Sequence, residues 1–140
     1  MHLLDSDTLS YLHGGHARVI ARLTALDDEV VGTTIVTKIE VLRARHEFVL
    51  KASSGDQLLK AQHWLLVSES LLDRTLIVRF DLVAARHFDR LQRDRKLRRI
   101  GRADLLIASI ALANRATLVT RNLRHFQQIP NLRAINWVDA

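Results

Sequence analysis

The sequence contains no cysteine, one proline and five glycines in 140 residues. Without cysteine there is no disulfide, no zinc–thiolate centre and no thiol nucleophile, a composition that suits a reducing cytosol. So little proline and glycine excludes long flexible linkers, and neither an internal repeat nor a low-complexity tract is present. Aromatic residues make up only 5%, so no base-stacking platform of the kind used by single-strand binders is legible. Long apolar runs are missing too. The most apolar stretch, 103–113, contains Asp104 and is far too short to span a bilayer. The chain reaches Asp5 after two leucines, so no secretory leader is expected. These absences together predict a cytoplasmic protein with no membrane partner.

What is present is ordinary in bulk and uneven in detail. A hydrophobic fraction of 48% and a charged fraction of 26% suit one globular domain over 1–140 with a real core. The net charge of +6 leans toward a polyanionic partner. Six cations fall within ten residues: Arg93, Arg95, Lys96, Arg98, Arg99 and Arg102; Arg121 and Arg124 follow. Such a run serves equally as a solvated helix face or as a grip on phosphates that reads no bases.

Hydrophobic periodicity divides the chain into alternating strands and helices. The apolar 2–4 predicts a buried strand, followed by a short helix and a break at Gly14-Gly15. A helix is expected over 16–27, a β-branched strand over 29–34, and a helix over 36–52 with Ile39, Leu42, Val49 and Leu50 on its apolar face. Ser54 or Asp56 caps the next helix, which runs to 72. Strand 75–80, helix 81–97 and an almost wholly apolar central helix after Gly101 come next. Strand 117–120, a helical turn over 122–128 and strand 134–138 complete the pattern. This alternation predicts an α/β fold of three layers, its mainly parallel central sheet flanked by helices. Ligands bind outside the carboxyl ends of such strands.

Four polar residues stand at those ends or beside them. Asp5 follows the first strand, Glu40 lies one turn into the helix after the second, Asp104 is in the first turn of the central helix, and Asn122 follows the fourth strand. The small residues Gly101, Ala108 and Ala111 share a helical stripe with Asp104, which would let that helix approach the sheet and bring Asp104 toward Asp5. An oxygen-only cluster prefers hard cations, Mg²⁺ or Mn²⁺. None of the seven histidines forms a pair spaced as His-x-x-x-His. Each residue also has a plainer role. Asp5 or Asp7 suits a helix cap, Asp104 a favourable anion at a helix start, Glu40 a helical ion pair with Arg43, and Asn122 a cap for the following turn.

Four segments, taken in order, resemble the PIN-domain ribonucleases of the VapC type, the toxins of bacterial toxin–antitoxin pairs. They are Leu3-Leu4-Asp5-Ser6-Asp7-Thr8-Leu9-Ser10, the stretch from Thr34 through Ile39-Glu40 to Leu42, Ile100-Gly101-Arg102-Ala103-Asp104-Leu105, and Leu118-Val119-Thr120-Arg121-Asn122-Leu123 running on to Ile129-Pro130. The third is the most specific, and together the blocks span the chain. The resemblance implies metal-ligand roles for Asp5, Glu40 and Asp104 around Mg²⁺ or Mn²⁺. Asn122 occupies a place where many members carry a fourth acid, so it brings an amide oxygen and no charge. Asp7 and Thr120 become auxiliary residues. The expected activity is hydrolysis of RNA phosphodiesters to 5′-phosphate and 3′-hydroxyl ends. The expected partners are an RNA substrate, a VapB-like antitoxin and a second copy in a homodimer. The rival expectation is a catalytically weak PIN-like module that binds RNA or protein, with an incidental dimerisation domain behind it.

Arg98, Arg99, Arg102 and Arg121 are the expected phosphate contacts. Replacing Arg98, Arg99 and Arg102 together by alanine is expected to weaken RNA binding without loss of fold. Each lost contact should flatten the log–log salt dependence by about 0.7 for single-stranded RNA. Binding titrations across a salt series check this, and an unchanged slope would leave these arginines as solvated surface.

Overall fold

The computed structural model describes residues 1–27 and 30–139. Its centre is β1 (His2–Leu4), three residues that pair in parallel with β2 (Val31–Thr34) on one side and β4 (Thr117–Val119) on the other. Strand β3 (Leu76–Val78) joins β2 and β5 (Arg133–Ile135) joins β4, giving a five-stranded, all-parallel sheet in the order β3-β2-β1-β4-β5. Side chains alternate across such a sheet, and here the central strands are buried on both faces while the edge strands β3 and β5 are partly exposed. Leu3 and Leu118 enter a core with Ile107, Ile110 and Phe126, whereas Leu4 and Val119 enter another with Leu9, Val19 and Leu72. Helices α5 (Leu82–Arg93), α6 (Arg102–Ala113) and α7 (Leu123–Phe126) contribute to the first core. Helices α1 (Ser6–His13), α2 (Ala17–Ala25) and α4 (Gly55–Asp73) contribute to the second. Helix α3 (Ile35–Lys51) packs chiefly on α4.

The three-layer α/β expectation holds, and its boundaries move for identifiable reasons. Strand β2 starts at Val31, and Glu29, expected in it, lies outside the described residues. The strand expected from 75 starts one residue later because Thr75 still belongs to the exit of α4, its hydroxyl donating to the Leu71 carbonyl at 2.7 Å. Downstream, Asp81 caps α5 by accepting from the Ala84 amide at 2.9 Å. The helix expected over 81–97 breaks at Asp94. Its backbone turns extended there, and its carboxylate accepts from the Lys96 amide to start a separate 3₁₀ turn, Arg95–Leu97. The last strand ends early because the Asn136 side chain accepts from the Val138 and Asp139 amides in a tight turn. Ser54, not Asp56, caps α4.

The apolar face assigned to α3 is also corrected. Ile39 and Leu50 are 57% and 84% exposed, whereas Leu42 and Val49 are partly covered. With α4 as its main neighbour, α3 lacks the sheet contact that would bury a full apolar stripe. The small-residue stripe of α6 holds only in part. Ala108 and Ala111 are fully buried, but the space beside Gly101 is open. The close approach therefore begins inside the helix.

Gly32 is the glycine that the sheet itself demands. A Cβ there would stand 2.5 Å from the Leu76 carbonyl oxygen and 2.9 Å from the Leu76 Cβ, so β2 and β3 could not keep their spacing. Gly32→Ala is expected to destabilise the fold by about 1–3 kcal/mol, roughly 3–10 °C in melting temperature. Thermal melting checks this, and a variant melting with the wild type would show that the edge strand shifts freely.

Candidate functional site

The carboxyl end of β1 is closed by hydroxyl and amide donors. The Thr33 hydroxyl donates to the Leu4 carbonyl at 2.6 Å, and the Asp5 amide donates to the Val119 carbonyl at 3.0 Å. The Thr8 hydroxyl donates to the same Val119 oxygen at 3.2 Å. The Asp5 side chain then accepts from the Thr8 amide at 2.9 Å as the cap of α1. The capping role expected for Asp5 is thus realised, through one carboxylate oxygen. Burial pushes the Asp5 carboxyl above the ordinary range. The Thr120 hydroxyl and Thr8 oppose that rise, and the nearby charge of Asp7 adds to it.

Glu40 lies exposed on α3 and lines a 260 Å³ pocket with Ser6, Asp7, Ser10 and Arg45. Its carboxyl is raised first by partial burial, then by the negative charges of Asp104 and Asp5. Asp104 stands in the first turn of α6, half-buried. A carboxyl-terminal strand end, a helix from the β2 side and the central helix therefore bring three acids into one electrostatic field. The plainer role suggested for Glu40 is not realised, since Arg43 pairs with Glu47 at 3.7 Å instead.

Asn122 sits at the start of α7 but makes no side-chain cap bond. Its backbone amide donates to the Thr120 hydroxyl oxygen at 3.0 Å, and its side-chain amide faces His125 Nδ1 at 3.0 Å. The same His125 nitrogen lies 3.6 Å from Asp104 Oδ2. His125 thus links Asn122 to Asp104 through one ring nitrogen, the Asn122 contact being the shorter. His125 was not among the residues singled out from the sequence. The signal was its position three residues after Asn122, one turn along α7.

The arginines divide. Arg98, Arg99 and Arg102 are exposed around the entry to α6, two to six residues before Asp104, and the Arg102 guanidinium carbon lies 5.9 Å from the Phe88 ring centroid. Arg121 is held differently. It donates from Nε and Nη2 to the Asp139 carboxylate at 3.1 and 3.4 Å and from Nη1 to the Tyr11 hydroxyl at 3.0 Å. Asp139 in turn is held below the usual carboxylate range, first by the Asn136 amide and then by Arg121.

The donor set of Asp5, Glu40, Asp104 and Asn122 is all oxygen toward a ligand, which fits Mg²⁺ or Mn²⁺ and not a thiophilic ion. Among the described residues, no three His, Asp or Glu side chains converge tightly enough to enclose an ion as they stand. The donor chemistry fits the ion; the closed geometry is not displayed.

Comparisons with known proteins agree with this architecture. Residues 2–132 match the PIN domain family model. A segment of 38 residues, 27% of this chain and 28% of the relative, is 60% identical to Ribonuclease VapC2 of Rickettsia felis. Among solved structures, VapBC2 from Rickettsia felis bound to a DNA fragment from its promoter superposes with a TM-score of 0.77 at 26% identity, covering 97% of this chain and 98% of that one. VapBC-1 from nontypeable Haemophilus influenzae gives a TM-score of 0.80 at 20% identity over 99% and 98% of the two chains. No described helix is long and apolar enough to cross a membrane. With a family match across nearly its whole length and an all-parallel sheet in the same arrangement, the chain belongs to the PIN domain family.

Proposed function

We propose that the chain is a single-domain, Mg²⁺- or Mn²⁺-dependent endoribonuclease, the toxin of a VapBC-type pair, with a VapB-like antitoxin as its protein partner and a second copy as its dimer mate. The observation that carries this reading is the electrostatic coupling of Glu40 to Asp5 and Asp104, three acids delivered by three separate elements to the carboxyl edge of the sheet. The relatives, a ribonuclease and toxin–antitoxin complexes, support the same reading.

Asp5, Glu40 and Asp104 would hold the ion. When bound, it supplies Lewis acidity toward a phosphoryl oxygen and makes water a stronger nucleophile near neutral pH. The chain's own residues do the rest. The Thr8 amide and the buried Thr120 hydroxyl fix Asp5 so that its orientation does not depend on substrate. His125 lies beside Asp104 and against Asn122, whose amide brings no charge where another acid would add repulsion. Arg98, Arg99 and Arg102 hold the RNA backbone, while Asp7 and Arg121 lie in the same field to one side. A catalytically weak binding module is the second reading, favoured by the neutral Asn122 and the open acid set.

Cleavage of RNA is expected to require Mg²⁺ or Mn²⁺ and to stop in excess EDTA. Undiminished cleavage in EDTA by a preparation free of contaminating nuclease would overturn metal dependence, and no cleavage with either ion would favour the binding module.

The raised carboxyls make a stability prediction with a definite sign. The folded chain binds more protons than the unfolded one from the ordinary carboxyl range up to the raised values of Asp5 and Glu40. Their contribution to metal-free stability therefore falls as pH rises through that window and stays reduced above it. Asp104→Asn removes one of the charges acting on Glu40 at almost constant size. The variant is expected to be inactive, to bind Mn²⁺ more weakly, and to melt no lower than the wild type in EDTA at neutral pH. Melting curves at acidic and neutral pH, with and without Mn²⁺, beside a cleavage assay, check this. Retained cleavage would remove Asp104 from the site, and unfolding would make it a structural anion of α6.

A further inference from the structure

On the other side of α1 from Glu40 lies a second pocket, 490 Å³, lined by Asp7, Ser10, Tyr11, Gly14, His16 and Arg121. Asp7 and Ser10 line both pockets, so one exposed edge of α1 is the wall between them. Its aromatic groups are set in place by the backbone. Gly15 takes a φ of +79°, which turns the chain back so that the His16 amide donates to the Tyr11 carbonyl at 2.9 Å. The His16 ring meets the Tyr11 ring edge-on, with centroids 5.1 Å apart and planes at 78°. His16 Nδ1 accepts from the Val19 amide at 3.4 Å as the cap of α2, which leaves the ring proton to Nε2. Arg121 stands over the Tyr11 ring, its guanidinium carbon 5.5 Å from the centroid, and is held by Asp139 and the Tyr11 hydroxyl.

The chemistry of this lining selects among ligands. A fixed aromatic ring is surrounded by a hydroxyl, a carboxylate and a guanidinium, so an apolar face and a polar edge are both met. The Arg121 charge is already matched by Asp139, which disfavours a phosphate or carboxylate here and favours a neutral heterocycle. We propose that the Tyr11–His16–Arg121 pocket is a nucleobase subsite, seating a base of single-stranded RNA next to the phosphate held at the Asp5–Glu40–Asp104 edge. The subsite deepens the nuclease reading and rests on it for the choice of RNA as ligand. The stacking surface is the Tyr11 ring together with the Arg121 guanidinium over it, and Asp7 and Ser10 meet the polar edge of the base.

The test uses fluorescein-labelled single-stranded homo-oligoribonucleotides, each beside a strand of equal length with abasic riboses, titrated in EDTA so that nothing is cut. Wild type should bind at least one base-bearing strand more tightly than its abasic counterpart. Tyr11→Leu, which keeps bulk against the core, should weaken that strand about 5- to 100-fold and leave the abasic strand unchanged. Tyr11→Phe should stay near wild type, and melting curves confirm that both variants fold. Three results would overturn the subsite. They are no preference for bases in the wild type, unchanged affinity in a folded Tyr11→Leu, and equal loss on both strands. A Tyr11→Leu variant that loses a protein partner but not the base preference of its RNA binding would likewise make the pocket a protein contact. Cleavage with Mn²⁺ by wild type and Asp104→Asn, run in parallel, separates the two claims. A base preference lost with Tyr11 in a protein that cuts nothing would keep the subsite and refute the nuclease.

Discussion

Asp5 stands where backbone pairing, helix capping and charge meet, and the geometry of the site depends on how that meeting is resolved. Its amide extends the pairing of β1 with β4 by one bond beyond the last strand residue, while its carboxylate accepts from the amide of Thr8. The chain has to leave the sheet at this point, and the helix cap makes it leave in one direction. Because the capping bond uses one oxygen and burial disfavours the charge, the carboxylate is both immobilised and under electrostatic pressure. A surface aspartate would have neither property.

Around that residue the fold spends hydrogen-bonding groups in an unusual way. Thr8, Thr33, Thr34, Thr37 and Thr120 are all fully buried, at the carboxyl ends of the central strands or in the first turns that follow. Their hydroxyls satisfy carbonyls and amides that very short strands leave behind: Thr33 on Leu4, Thr8 on Val119, Thr34 on the Thr37 amide. Three-residue strands cannot hold a long ladder, so hydroxyl side chains close the ends that further strand residues would otherwise close. The carboxyl edge of the sheet is closed by side-chain hydrogen bonds for that reason.

The C-terminal segment ties the opposite flank. The Asn136 turn ends β5 and presents Asp139 to Arg121, and Arg18 on α2 donates to the Val138 carbonyl at 3.0 Å. Trp137 is buried and stacks on His2 with ring centroids 5.6 Å apart. A single exposed ion pair contributes little to stability, but Arg121 is restrained at both ends of its guanidinium by different elements. The restraint is geometric: it keeps a cation beside Tyr11 while cancelling its net charge.

Much of the fold was legible in the residues because the relevant signals are local. Alternating apolar runs give strands and helices of the right order. The almost wholly apolar α6 could only be a central helix, and the four motif blocks place Asp5, Glu40, Asp104 and Asn122 at the edge where parallel sheets bind ligands. Element ends were less legible, since Thr75, Asp94 and Asn136 act through side chains whose hydrogen bonds appear only once the backbone is placed. The apolar face of α3 was misassigned because periodicity shows that a face is apolar but not whether a neighbour covers it. What the tertiary structure alone decided is which distant groups share a field. The coupling of Glu40 to Asp104, the contact of His125 with Asp104, and the meeting of Tyr11 with Arg121 110 residues away all arise from crossovers that join separate strands. Composition counted few aromatics and saw no place for a base. Proximity in space, which sequence spacing does not encode, set one of those few, Tyr11, against Arg121.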